Sequence, residues 1–195
     1  MKIALITIHW ANSYGGTLQA LASQVVLSGY GDVTIINYKT PHLGKSMRLI
    51  RVGFGIRHFL RMAKDFFRLF PRYRLLKKFR NFAHTYYNMT EQVENRKDLK
   101  SLEKSFDVFV CGSDQIWNPG IIDGFDGAYF LDFVEKKNKI SFASSAGSYR
   151  YTDKEEYALK NYLSSFTGLS VRESNTASYL SGLLARDDIF TVLDP

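Results

Sequence analysis

The chain has 195 residues, 45% of them hydrophobic and 15% aromatic, with 26 Lys plus Arg against 19 Asp plus Glu. That length suits one domain, the apolar content excludes wholesale disorder, and a single cysteine, Cys111, excludes a disulfide framework or a multi-cysteine metal site. The net charge of +7 is concentrated: residues 45–80 carry +11 and the remainder −4, which argues against a nucleic-acid partner, whose footprint would come with a reading motif.

No apolar run approaches the ~18–20 residues needed to cross a bilayer, and the opening Met1–His9 is too short for a secretory signal. The expected location is cytoplasmic. Lys2–Ile8 reads as a buried strand. After a polar loop, Leu18, Leu21, Ala22, Val25 and Val26 fall on one face of a helix. Gly29 and Gly31 stop it, and residues 33–38 read as the next strand. Strand, helix and strand at this spacing make a βαβ unit and a parallel sheet.

The basic stretch follows. Ile56, Phe59, Leu60, Ala63, Phe67 and Phe70 repeat at helical spacing, and Arg57, Arg61, Lys64 and Arg68 border them at about 100° of rotation. Pro71 breaks the pattern, and a second basic-aromatic helix runs to about Tyr86. Two readings stand for this segment. It is an amphipathic attachment to anionic membrane, or a helical layer packed on the sheet with its charges solvated.

From Asn95 the α/β rhythm returns. A short helix over 97–105 precedes a strand over 106–111, and another strand spans 139–144. Thr152 and Glu155 have capping-box spacing and open a helix with Leu159, Tyr162, Leu163 and Phe166 on one face. A strand over 168–171, a helix over 174–185 and a strand over 189–193 complete the pattern. The handover at Asp194-Pro195 reads as leading into something further. The expectation is one Rossmann-like domain over 1–195 with a basic helical insertion at about 45–88 and a second, C-terminal domain absent from the chain.

Two loops could hold chemistry. His9–Gly16 joins the first strand to the first helix, at the edge where open α/β sheets bind ligands and where helix N–H groups favour anions. Gly15 and Gly16 permit close backbone approach; the alternative is a tight turn stabilised by Asn12. The loop lacks the G-x-G-x-x-G pattern of a dinucleotide site. The second loop, Cys111-Gly112-Ser113-Asp114-Gln115-Ile116-Trp117-Asn118-Pro119, follows a buried strand at the same edge. It offers donors, acceptors and an aromatic platform, the combination that sugar hydroxyls and a pyranose face require. Its alternative is a polar turn with Trp117 tucked into the core.

Residues 12–20, Asn-Ser-Tyr-Gly-Gly-Thr-Leu-Gln-Ala, and 112–119, Gly-Ser-Asp-Gln-Ile-Trp-Asn-Pro, resemble the polysaccharide pyruvyl transferase family. Phe142–Gly147, Ser170–Glu173 and Leu193–Pro195 agree in order, while Ala146 stands where the family more often has an aromatic residue. The resemblance implies an α/β, Rossmann-like parallel sheet flanked by helices, like the N-terminal domain of a two-domain transferase of the GT-B type. It also implies transfer of pyruvate from phosphoenolpyruvate to two sugar hydroxyls as a ketal, in cell-surface polysaccharide biosynthesis, with no cofactor and no metal. The partners implied are phosphoenolpyruvate and a saccharide acceptor.

By position in the matching motifs, the resemblance implies Arg172 as the donor contact and Asn12, Tyr14, Gly15, Gln19, Ser113, Asp114, Gln115, Trp117 and Asn118 as candidate substrate contacts. A salt bridge to Glu173 is the competing role for Arg172. The family's acid is expected in the second domain, and His9, which has a structural reading, is the local substitute; Cys111 is a small buried hydrophobe. Without a second domain the chain is expected to be inactive alone. The rivals are half of a sugar-nucleotide glycosyltransferase and a non-catalytic remnant that binds glycan or membrane.

Overall fold

A computed structural model describes residues 1–47, 49, 66–93 and 95–195. Six strands form one sheet: β1 (Lys2–Ile6), β2 (Asp32–Ile35), β3 (Val108–Asp114), β4 (Asn138–Ser144), β5 (Leu169–Val171) and β6 (Ile189–Thr191), in the order β2-β1-β3-β4-β5-β6 with every pairing parallel. Helices α1 (Tyr14–Ser28), α2 (Pro41–Gly44), α3 (Leu69–Tyr86), α4 (Arg96–Ser101), α5 (Pro119–Ile122), α6 (Asp153–Leu163) and α7 (Ser174–Leu184) fill the connections. This is the α/β, Rossmann-like arrangement that the strand-helix alternation predicts.

Alternation along β1 divides the core. Ile3 and Leu5 join Val33, Ile35, Val108 and Val110 on one face, under Ala20 of α1 and Ala83 of α3. Ala4 and Ile6 join Phe109, Cys111, Leu169 and Val171 on the other, under Leu159 and Leu163 of α6 and Leu180 of α7. With both faces covered, the central strands read as apolar runs instead of alternating ones.

Several elements depart from expectation. The apolar positions Leu18, Val25 and Val26 of α1 are exposed, whereas Thr17, Gln19, Ala20 and Ser23 are buried. A Thr7–Gln19–Ser23 hydrogen-bond chain satisfies that polar inner face, and small side chains let the helix lie close to the sheet. Pro71 sits in the first turn of α3, where its missing N–H costs nothing. β3 runs on through Asp114, so half of the expected loop is strand. Residues 119–137, which carry no clear periodicity, fold as α5 and a 3-10 turn (Gly127–Phe130) whose Tyr129, Phe130, Leu131 and Phe133 enter the core. Most of the basic helix read over 56–70 lies outside the described residues.

The chain leaves β1 toward β2 and returns to begin β3 on the other side. That reversal opens a crevice beyond the carboxyl ends of β1 and β3, where doubly wound sheets receive ligands. Both candidate loops start there.

Candidate functional site

The two loops are joined at their base. The Thr7 hydroxyl, just past β1, is shared between the Ser113 carbonyl (3.2 Å) and Gln19 Oε1 (3.3 Å). Ser13 caps α1 by accepting from the Gly16 N–H at 3.3 Å, which leaves the first turn facing the crevice. A Cβ placed on Gly16 would sit 3.6 Å from Asp114 Oδ2. The carboxylate therefore lies against the start of α1.

Asp114 is held unusually. Its φ is +75°, and its Oδ1 accepts the Gln115 N–H at 2.7 Å. Asp is among the few residues that enter this region readily, because its short side chain can bond the local backbone. Burial pushes its carboxyl above the usual carboxylate range and the neighbouring Asp194 adds to that, against the opposing pull of the Gln115 N–H and Arg172. Gly112, two residues before, has φ +112°, and a Cβ there would collide with the Phe142 carbonyl; only glycine lets β3 and β4 come this close.

Arg172 follows β5 and is fully engaged. Nε donates to Glu173 Oε1 (3.0 Å), Nη1 to Asp194 Oδ2 (3.2 Å) and Nη2 to Ser145 Oγ (3.1 Å). The Ser113 hydroxyl donates to the other oxygen of Asp194, so one carboxylate bridges β3 to Arg172. Ser145 donates in turn to Glu173 (2.6 Å). Ser113, Ser145, Arg172, Glu173 and Asp194 thus form one network at the carboxyl ends of β3 to β6. The sequence reading gave Ser145 and Asp194 no role, although Ser145 directly follows β4 and Asp194 comes three residues after β6, both at the ligand-binding edge.

The remaining expected contacts divide. Gln115 and Asn118 are half-buried and bond each other, Asn118 Nδ2 to Gln115 Oε1 at 2.8 Å, while Asn118 Oδ1 caps α5. Asn12 is half-buried and its N–H donates to Ser46. Gly15 is exposed, as is Tyr14, whose ring lies 5.0 Å from that of Phe79. Gln19 is buried, its amide spent on Thr7 and Ser23.

Trp117 is 0% exposed. It stacks on Phe130 (5.9 Å), meets Phe166 edge-on, and donates its indole N–H to the Tyr129 carbonyl. The platform expected for a sugar is instead a pillar under the loop: so large an apolar ring gains more from the core than from the edge. His9 is buried too, between the Thr7 carbonyl and Asn37, and burial lowers its pKa. Burial likewise pushes the Cys111 thiol up to about 12, consistent with its reading as a small hydrophobe.

Among the described residues no helix is long and apolar enough to cross a membrane. No curated protein and no solved structure matches the chain. The model of one family, polysaccharide pyruvyl transferase, matches residues 14–195, from the first residue of α1 to the end. That stretch contains β3, Asp114, Arg172 and Asp194, and the chain belongs to the polysaccharide pyruvyl transferase family.

Proposed function

We propose that the chain forms one wall of a transferase that moves pyruvate from phosphoenolpyruvate to two hydroxyls of a saccharide. The observation that carries this is the cradle of Ser113 and Arg172, which already holds a carboxylate, that of Asp194. A hydroxyl and a planar guanidinium that grip one carboxylate can grip the carboxylate or phosphate of a small polyanion.

The reaction needs a proton on the donor's methylene carbon, stabilisation of the adjacent cationic carbon, and removal of protons from both sugar hydroxyls as phosphate leaves. Asp114 Oδ2 has no hydrogen bond to another described residue and lies against the start of α1, on its crevice side. In this reading Asp114 exchanges the hydroxyl proton, its raised pKa bringing it nearer the working pH. The neighbouring Asp194 and Glu173 carboxylates favour a developing positive charge. The chain acts with a second domain, in the manner of the N-terminal half of a GT-B enzyme, because a cleft needs two walls to position donor and exclude water.

Phosphorus NMR of the chain titrated with phosphoenolpyruvate, inorganic phosphate and a uridine-diphosphate sugar tests the reading. Saturable broadening by phosphoenolpyruvate that Arg172→Lys weakens is expected. Binding of the sugar nucleotide alone overturns it in favour of the glycosyltransferase rival.

A second reading concerns α3. Residues 66–86 contain six Lys and Arg and no acid; Leu76, Phe79 and Ala83 are buried, but Phe67, Phe70, Arg74, Lys77 and Lys78 are exposed. This outer face suits an anionic bilayer surface, near lipid-borne acceptors. Co-sedimentation with phosphatidylglycerol vesicles but not phosphatidylcholine vesicles is the expected result; equal recovery from both overturns it.

A further inference from the structure

Next to the Arg172 network, the loop after β4 and the first turn of α7 border an open groove of about 540 Å³, within the ~300–1,000 Å³ range of small-molecule sites. Its wall consists of three tyrosines, each anchored at its far end. Tyr149 donates to Glu155 Oε1 (2.9 Å), Tyr151 to the Trp117 carbonyl (2.8 Å) and Tyr179 to Glu156 Oε1 (2.8 Å). The rings also hold one another: Tyr149 meets Tyr151 edge-on at 5.4 Å, and Tyr151 stacks on Tyr179 at 5.9 Å. Fixed by both ring and hydroxyl, these side chains have little freedom left to lose when a ligand arrives.

The rim differs from the wall. Ser148, Arg150 and Asn175 line the groove, are exposed, and none of the three side chains bonds or pairs with another described residue. The groove therefore presents a rigid aromatic surface edged by unused polar groups. We propose that it is the acceptor subsite and takes a pyranose ring of the saccharide, a reading that rests on the transfer function above. A pyranose has a C–H face that packs on the electron-rich face of an aromatic ring, and hydroxyls around its edge that Ser148, Arg150 and Asn175 can meet. The donor is a poor occupant, since three carboxylates, Glu155, Glu156 and Glu173, anchor or adjoin this wall.

The groove also leads to the reacting centre. The Gly147 N–H on its floor donates to Ser145 Oγ (2.9 Å), the atom that accepts from Arg172 Nη2. Thr176 of α7 contacts Glu173 from the other side. A sugar seated on the tyrosines thus has its far edge directed toward the donor cradle.

Saturation-transfer NMR on the whole chain, with both methyl anomers of gluco-, galacto- and mannopyranoside plus N-acetylglucosamine and N-acetylmannosamine, tests the proposal without donor present. At least one glycoside should receive saturation, strongest on the protons of one ring face. Asn175→Trp, which fills the groove from an exposed position, and Tyr179→Ala should each cut it at least 5-fold. Melting curves identify a variant that fails to fold; should Tyr179→Ala do so, Asn175→Trp decides. No saturation across the panel, saturation unchanged in Asn175→Trp, or displacement of the sugar by uridine overturns the groove assignment and leaves the donor reading standing. Sugar binding together with absent phosphoenolpyruvate binding overturns the transfer reading alone.

Discussion

The Arg172 network and the tyrosine groove share one edge of the sheet and one loop, yet they are finished differently. In the network nearly every donor is matched to a carboxylate: the guanidinium has three partners and Asp194 has two. In the groove the tyrosine hydroxyls are matched, but the rim side chains have no partner among the described residues. A charged ligand can enter the first only by exchanging with a group already there, so binding there is competitive and geometry-limited. A neutral ligand enters the second with nothing to displace but water. On the proposed function, that difference suits an ionic donor in the first and a hydroxylated acceptor in the second.

Trp117 supports both regions, and removing it should break both together. Its backbone N–H donates to the Ser145 carbonyl, its own carbonyl accepts from the Tyr151 hydroxyl, and its ring fills the core. Trp117→Ala should cost about 3–5 kcal/mol, the range for emptying a large aromatic site, read by denaturant unfolding. A loss of under about 1 kcal/mol would mean the loop stands without it.

Arg172→Lys separates the two regions. Lysine offers one nitrogen where three are in use, so the network loses its planar grip while the groove is untouched. On the proposed function, donor efficiency should fall by roughly 30- to 1000-fold, or about 2–4 kcal/mol; acceptor KM should stay near wild type. Unchanged donor kinetics with a lowered Tm would make Arg172 a purely structural salt-bridge partner of Glu173 and Asp194.

Asp194→Asn sharpens the same point from the opposite side. It removes the resident anion but keeps an oxygen for the Ser113 hydroxyl. If donor and Asp194 compete for Arg172, phosphoenolpyruvate binding should tighten several-fold in the phosphorus NMR titration. Weaker binding would show that Asp194 helps orient the guanidinium instead of rivalling the ligand.

Much of this molecule was legible beforehand because strands and helices announce themselves by period. The βαβ start, the capping box at Thr152 and the strand before Arg172 follow from local pattern, as does a polar stretch with Asp114 at the same edge, although β3 runs on through Asp114 where the pattern ended it at Cys111. What local pattern could not supply was which face of an element is inner. Helix α1 turns Leu18 and Val25 outward because Thr7 and Tyr87, distant in sequence, satisfy its polar side. Trp117 had two readings, platform or core, because a polar stretch surrounds it; Phe130, from a stretch without periodicity, and Phe166, which lies past the end of α6 and not on its face, cover it and decide for the core. The tyrosine groove was missed for the same reason: Tyr179 is far from Tyr149 and Tyr151 along the chain.

The smallest effect tests whether Asp114 is kept for function at a cost to the fold. Burial raises its folded pKa above the ordinary value of 3.8, so between the two values the folded chain holds a proton that the unfolded chain has lost. Stability must then fall as pH rises through that window, and the loss persists at neutral pH. Asn at 114 has the same shape, tolerates φ +75° equally well, and keeps an oxygen for the Gln115 N–H, but it never charges. Asp114→Asn should therefore raise the Tm at pH 7, and its advantage should shrink toward zero as pH drops below about 3.8, while on the proposed function transfer activity is lost. His9 titrates identically in both proteins, so its acid destabilisation cancels in the difference. An Asn variant less stable than wild type at pH 7 would show that the attraction of Arg172 outweighs desolvation, and that Asp114 is held in place as an ion.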